Sequence, residues 1–220
     1  MTTIDLEATN RTRARYQQIA PTYDRMEVPA ERRYAQWRTR LWSMARGPRV
    51  LEVGVGTGKN MPFYPSGVQI TAIDLTPGML ERAQERARML SLKKVSPRLG
   101  DVQSLEFPDA SFETAVATFV FCSVPDPILG LRELRRVVVR GGELHLLEHV
   151  RSPNPIVGSL MDAFNPLVVR MMGANINRPT VHNVEQAGWR IEAVEDLGFG
   201  GIFKLLRARH PIRSNDPGNW

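Results

Sequence analysis

From residue 49 onward, short β-branched runs alternate with stretches whose apolar residues recur every three or four positions. The pattern predicts strands over residues 49–53, 69–73, 114–118, 142–149, 190–194 and 202–208, with a further strand region ahead of Gly100-Asp101. After Asp74, Thr76 suits an N-cap and Pro77 the first helical position. Met79, Leu80, Ala83, Ala87 and Leu90 then follow at helical spacing. A second helix starts near Pro127 and runs through Leu129, Leu131, Leu134, Val137 and Val138 until Gly141-Gly142 stops it. Strands alternating with helices predict an α/β fold built on a doubly wound sheet.

Two stretches stand outside the alternation. Residues 29–45 predict a helix with Tyr34, Trp37, Leu41 and Met44 on one side and Arg32, Arg33 and Arg40 largely away from it. Residues 152–180 form an insert that mixes Ile156, Leu160, Met161, Phe164, Leu167, Met171 and Met172 with Pro and Gly breaks. The chain therefore divides into a helical lid over residues 1–47, a main domain over 48–210 carrying that insert, and a tail over 211–220. Additions at the carboxyl edge of such sheets are where lids and substrate pockets are placed.

Composition narrows the classes. At 220 residues, 42% apolar and 24% charged, the chain has enough length for a substantial core and is too apolar for disorder. Cys122 is the single cysteine, which excludes an internal disulfide and any cysteine-built metal site; no metal is expected. The net charge of +6 is unevenly placed. Residues 1–50 hold ten Arg against five acids, whereas residues 51–220 hold 19 basic and 18 acidic side chains. An arginine-rich segment suits anionic membrane, nucleic acid or a solvated helix face. The most apolar stretch, residues 156–172, is broken by Asp162, Asn165, Pro166 and Arg170, and the first ten residues lack an export run. A cytoplasmic protein, soluble or peripheral, is expected.

The chemistry concentrates at Val50-Leu51-Glu52-Val53-Gly54-Val55-Gly56-Thr57-Gly58, a strand running into a glycine turn. A dinucleotide fingerprint would place glycine three positions after Gly56, where Lys59 stands. Glu52, two residues ahead of the first glycine, would repel a pyrophosphate and suits a ligand bearing a cation. Asp74 ends the second strand, where an acid accepts both hydroxyls of a ribose. Asp101 ends the third strand region, within reach of an adenine amino group. An adenosine with a positively charged tail satisfies all three acids, and S-adenosylmethionine is such a ligand.

The ordered segments VLEVGVGTG, AIDLTPGML, GDVQSLEFPDASFE, ATFVFCSV and RRVVVRGGELHLLEH resemble the class I S-adenosylmethionine-dependent methyltransferases over about three quarters of the chain. The resemblance implies their Rossmann-like seven-stranded sheet. It also implies that Glu52, Gly54, Gly56 and Gly58 line the methionine end, that Asp74 binds ribose, and that Leu75 and Met79 pack on adenine. Asp101 with the backbone of Val102 would meet the adenine edge, and Thr118 would lie near the methionine group. Cys122 reads as a buried small hydrophobe, since direct methyl displacement needs no covalent intermediate.

The segment after the fourth strand, Thr118-Phe119-Val120-Phe121-Cys122, is apolar and differs from the N-P-P-Y-like run of amino-methylating nucleic-acid enzymes. A lipid-like or aromatic acceptor is expected, and no nucleic acid. Arg15-Tyr16-x-x-Ile19-Ala20-Pro21-x-Tyr23-Asp24-x-Met26 resembles the opening of the ubiquinone/menaquinone biosynthesis methyltransferases and of the bacterial phosphatidylethanolamine N-methyltransferases. Glu148-His149-Val150 and Gly173-Ala174-Asn175-x-x-Arg178 are similar to membrane-associated methyltransferases, including the animal alkyl thiol methyltransferases.

The leading expectation is N-methylation of phosphatidylethanolamine at the inner face of the membrane. The alternatives are C-methylation of a quinone precursor and S-methylation of a small thiol. His149 is a candidate proton relay, or a histidine packed under the insert. Tyr16 and Tyr23 would cap the methyl site or contact a cationic head group through their rings, or else staple the lid to the sheet. Arg178 would pair with a lipid phosphate or sit in a surface salt bridge. The basic extension, with Arg11, Arg13, Arg15, Arg32, Arg33, Arg38 and Arg40 alongside Tyr34, Trp37 and Trp42, suits an interfacial helix on anionic lipid or a solvated lid helix.

Overall fold

The computed structural model describes residues 4–198 and 200–212; most of the expected tail, and the side chains of Met171 and Met172, lie outside the described residues. Two helices lead, α1 (Leu6–Ile19) and α2 (Tyr23–Ser43). Asp5 caps α1 by accepting from the Ala8 N–H at 2.9 Å. The main domain runs β1 (Arg49–Val53), β2 (Gln69–Asp74), α3 (Pro77–Met89), β3 (Val95–Leu99), β4 (Phe112–Thr118), α4 (Pro127–Val137) and β5 (Val138–His149). It finishes with α5 (Pro155–Met172), α6 (Thr180–Gln186), β6 (Arg190–Asp196) and β7 (Phe203–Arg209). The sheet has seven strands in the order β3-β2-β1-β4-β5-β7-β6. Neighbouring strands among β1 to β5 pair in parallel, and β7 runs antiparallel between β5 and β6. β3 carries Pro97 on the sheet edge, where a missing backbone donor is tolerated.

Each face of the sheet buries its own core. Leu51, Val53, Leu144, Leu146 and Leu206 pack with Leu131, Leu134 and Trp189 on one side. Val50, Ile70, Ala72, Val116 and Leu147 pack with Leu41, Trp42, Leu80 and Ala83 on the other. The sheet is thus covered on both faces, as parallel strands require.

Three expectations are corrected. The helix over 127–138 ends at Val137, because β-branched Val138 opens β5 and Gly141-Gly142 lies inside that strand, at a register shift against β4. Leu90 falls just beyond α3 as its C-cap. The predicted helix over 29–45 starts earlier, at Tyr23, with Pro29 inside it.

Candidate active site

The strand order reverses between β1 and β4, the switch point at which open α/β sheets bind ligands beyond their carboxyl ends. A cavity opens there, lined by residues from the lid, the glycine turn and the strand ends. Ten residues singled out from the sequence line it: Tyr16, Tyr23, Gly54, Gly56, Asp74, Leu75, Met79, Asp101, Val102 and Thr118. They come from the lid, the glycine turn and the ends of β2, β3 and β4.

The glycine turn owes its path to three left-handed residues, Gly54, Gly56 and Gly58. Gly54 has φ +64°, and a Cβ there would stand 2.4 Å from Val120 Cγ2. Gly56 has φ +55° and faces open space, with no protein atom within 4 Å of an added Cβ. Asp74 braces the turn: its Oδ2 accepts from the Gly56 N–H and its Oδ1 from the Thr76 N–H, each at 2.8 Å. Burial raises the Asp74 pKa, and these backbone donors work against the rise. A carboxylate has about four acceptor positions, so two remain for ribose hydroxyls.

At the other end, Asp101 accepts from the Gln103 N–H at 2.9 Å, and the Gln103 amide reaches both carboxylate oxygens at 3.2 Å. Gln103 also donates to Thr9 and accepts from the Asp126 N–H, tying this edge to α1 and to the cap of α4. Tyr16 and Ser123 share a hydrogen bond of 2.6 Å between their hydroxyls, which joins α1 to the loop after β4. Burial raises the pKa of both Tyr16 and Tyr23, so both phenols are neutral.

Four expected site residues are placed elsewhere. Glu52 is fully buried behind the turn, and its carboxylate accepts from Asn60 and Tyr64 instead of lining the cavity. Burial pushes its pKa up to about 7. A Cβ on Gly58 would meet Met61 at 2.8 Å, so this glycine serves packing. His149 lies outside the cavity wall, edge-on to Phe203 at 5.2 Å, and burial lowers its pKa. The structure thus places it as the packed histidine of the two expected alternatives, beside Phe203. Arg178 is half-buried and donates to the Val124 carbonyl at 3.1 Å, which braces the cavity loop; among the described residues no salt bridge holds it.

Part of the lid's expected outward surface is placed inside. Arg38 is 4% exposed and donates to Asn60 at 2.7 Å, and Trp42 is interior. Tyr34 and Trp37 stack against Phe203, and Arg40 pairs with Glu195. The aromatic stripe of α2 therefore packs on the sheet, because that face completes the second core. Ionic contacts hold the helix there: Lys59 bridges Glu27 at 2.9 Å and Glu31 at 3.0 Å, and Asp24 accepts from Thr57 and Arg86.

Glu148 has a larger part than its sequence context indicates. It is 1% exposed, and its Oε1 accepts from the N–H groups of Val120 and Phe121 at 2.9 and 3.1 Å. These bonds shape the turn in which Phe119 takes φ +56° and the following residues enter the cavity wall. Burial pushes the Glu148 carboxyl up to about 7 and the Cys122 thiol up to about 12; Cys122 is buried and free. An acid within the apolar run Leu146-Leu147-Glu148 was the available signal for Glu148. Asn60, Gln103 and Ser123 carried none.

A methyltransferase-domain family model matches residues 51–146. The chain is 37% identical to the phosphatidylethanolamine N-methyltransferase of Cereibacter sphaeroides over 176 residues, which is 77% of this chain and 84% of that one. The chain belongs to the class I S-adenosylmethionine-dependent methyltransferases. It is also 28% identical to the ubiquinone/menaquinone biosynthesis C-methyltransferase of Geobacter sp. (strain M21), over 78% of this chain and 77% of the relative. A geranyl diphosphate methyltransferase solved in complex with SAM superposes with a TM-score of 0.68 at 16% identity, covering 80% of this chain and 84% of that one.

The residues present fit the cofactor of this methyltransferase. Asp74 has acceptor capacity for a ribose, Leu75 and Met79 offer apolar surface for an adenine, and Gly56 leaves space that any side chain would fill. Asp101 would meet the adenine edge, and Gly54, Gly56 and Thr118 the methionine end. When bound, S-adenosylmethionine supplies a methyl group on a sulfonium, open to in-line displacement. Tyr16 and Tyr23 close the wall from the lid side, where they would exclude water from a bound cofactor's methyl group.

Proposed function

We propose that this methyltransferase N-methylates the amine of phosphatidylethanolamine, working at the inner face of the membrane. The observation that carries the reading is the 37% identity with a phosphatidylethanolamine N-methyltransferase over most of both chains. The cavity chemistry supports it. Neutral phenols at Tyr16 and Tyr23 present ring faces and hydroxyl lone pairs, which favour an ammonium head group and its more methylated products by about 0.5–2 kcal/mol per ring. Val120, Val124 and Pro125 add apolar wall beside them. To react, the head-group ammonium must first give up its proton; displacement at the sulfonium methyl then leaves S-adenosylhomocysteine and a methylated ammonium, the form that the tyrosine rings favour. No helix among the described residues is long and apolar enough to cross a membrane, so the acceptor lipid would be met from the surface.

The test is label transfer from methyl-labelled S-adenosylmethionine to liposomes containing phosphatidylethanolamine, with a quinone precursor and small thiols assayed in parallel. Label in the ethanolamine lipid is expected. Label in the quinone or the thiol, with none in the lipid, would overturn the assignment.

A further inference from the structure

The outward face of α5 breaks the rule for a solvated helix. Ile156, Leu160, Phe164 and Leu167 are 73%, 53%, 57% and 54% exposed. At 3.6 residues per turn, these four lie within an arc of about 80°. Ala163, Ser159 and Arg170 border one side of the arc, and among the described side chains no acid falls inside it. Asp162 points off the arc, where Arg151 neutralises it at 2.9 Å. The opposite face, with Met161 and Gly158, is buried against the domain. A water-facing helix puts polar residues outward. This one puts apolar residues on both sides, with a polar rim of basic sign.

We infer that α5 is an interfacial helix that seats the enzyme on an anionic lipid bilayer through Ile156, Leu160, Phe164 and Leu167. Charge selects the occupant: the patch ends at Arg170, and Arg15 of the arginine-rich α1 packs against Gly173 at the helix terminus. Size argues against a second copy. Four such side chains expose roughly 400 Å², about half of what each partner in a standard protein interface buries. In a bilayer the same face sits at the headgroup boundary and the arginine heads reach the phosphates.

The contact would also orient the cavity. Asn165 of α5 donates to Asn175 at 3.2 Å, and Asn175 donates from both its backbone and its side chain to the Cys122 carbonyl at 2.9 and 3.0 Å. Cys122 belongs to the loop whose Phe119, Val120 and Ser123 line the cavity. Docking of α5 would therefore hold the acceptor wall at the membrane surface. The inference deepens the proposed lipid acceptor and rests on it for its purpose, while the contact itself is measurable without it.

The experiment is flotation of the full chain with phosphatidylcholine vesicles containing or lacking phosphatidylglycerol, both free of phosphatidylethanolamine. Wild type should float with the anionic vesicles. Leu160→Ser/Phe164→Ser should lower partitioning at least 30-fold, and Arg170→Glu about 5-fold, with S-adenosylhomocysteine affinity unchanged as the check on folding. Equal flotation of the double variant and wild type would overturn the inference. So would a dimer in sedimentation velocity that the double variant converts to monomer. Transfer to a monomeric short-chain phosphatidylethanolamine reads the acceptor assignment separately: its loss in wild type refutes the substrate and leaves the vesicle result standing.

Discussion

Asp74→Asn separates the two tasks of the acid at the end of β2. Its two oxygens each accept one backbone N–H at 2.8 Å, from Gly56 and Thr76, and each keeps capacity for one ribose hydroxyl. The amide keeps one acceptor oxygen and turns an NH2 group toward the other backbone donor. That mismatch leaves a buried N–H unpaired, at a cost of about 1–3 kcal/mol to the fold. For a chain of this size the melting temperature falls by about 2–4 °C per kcal/mol. The lost bond from ribose to a charged acceptor is worth about 1.5–3 kcal/mol, which weakens cofactor binding by about 10- to 150-fold. Titration calorimetry with S-adenosylhomocysteine reads the second effect, and a melting curve without ligand reads the first. If the variant melts lower yet binds within twofold of wild type, Asp74 only braces the glycine turn and the ribose assignment is wrong.

Other variants test the remaining parts of the site. Gly56→Ala, whose Cβ enters open cavity space, should cost the fold only the roughly 1–2 kcal/mol of left-handed strain while sharply weakening S-adenosylhomocysteine binding. Gly54→Ala, whose Cβ meets Val120 at 2.4 Å, should lower the melting temperature more than Gly56→Ala does; equal melting would refute the clash. Tyr16→Phe removes the bond to Ser123 and should lower kcat about 5-fold, for a loss of about 1 kcal/mol, with cofactor affinity unchanged in calorimetry. Burial raises the Glu148 pKa from 4.5 to about 7, so the native state holds this proton longer than the unfolded chain does. Its stabilising share is full below about pH 4.5 and is lost as pH rises through about 7, on the order of 3 kcal/mol. Glu148→Gln should therefore gain in melting temperature over wild type above pH 7.5, with the gain vanishing near pH 5; a difference independent of pH would refute it.

Much of the cofactor end was legible because its residues act close to where they stand in the chain. The glycine turn follows its own strand, Asp74 ends one and Asp101 follows another by two residues, so the acids reach one edge by topology alone. The Thr76-Pro77 start of α3 is equally local. Glu52 misled because spacing shows that an acid precedes the turn and is silent on which way its strand face points. The pleat turns it toward Asn60 and Tyr64, away from the cavity. The placement of His149 and Arg178 was equally out of reach: their surroundings depend on Phe203 and Val124, 54 residues away in each case. Amphipathic patterns identified α2 and α5 as helices with an apolar side, and periodicity cannot say what that side meets. The aromatic side of α2 packs on the sheet, while four large apolar side chains of α5 face outward.

By itself, then, the sequence determined the sheet alternation, the glycine turn, the three acids and the excess of arginine ahead of residue 50, since these follow from local propensity and order along the chain. Only the tertiary structure decided that Asp74 and Asp101 share a cavity while Glu52 supports it from behind. It alone showed that Glu148 shapes the loop after β4, and that the exposed apolar face belongs to α5. Those outcomes rest on which surfaces exclude water together, a property of long-range packing that no run of neighbouring residues contains.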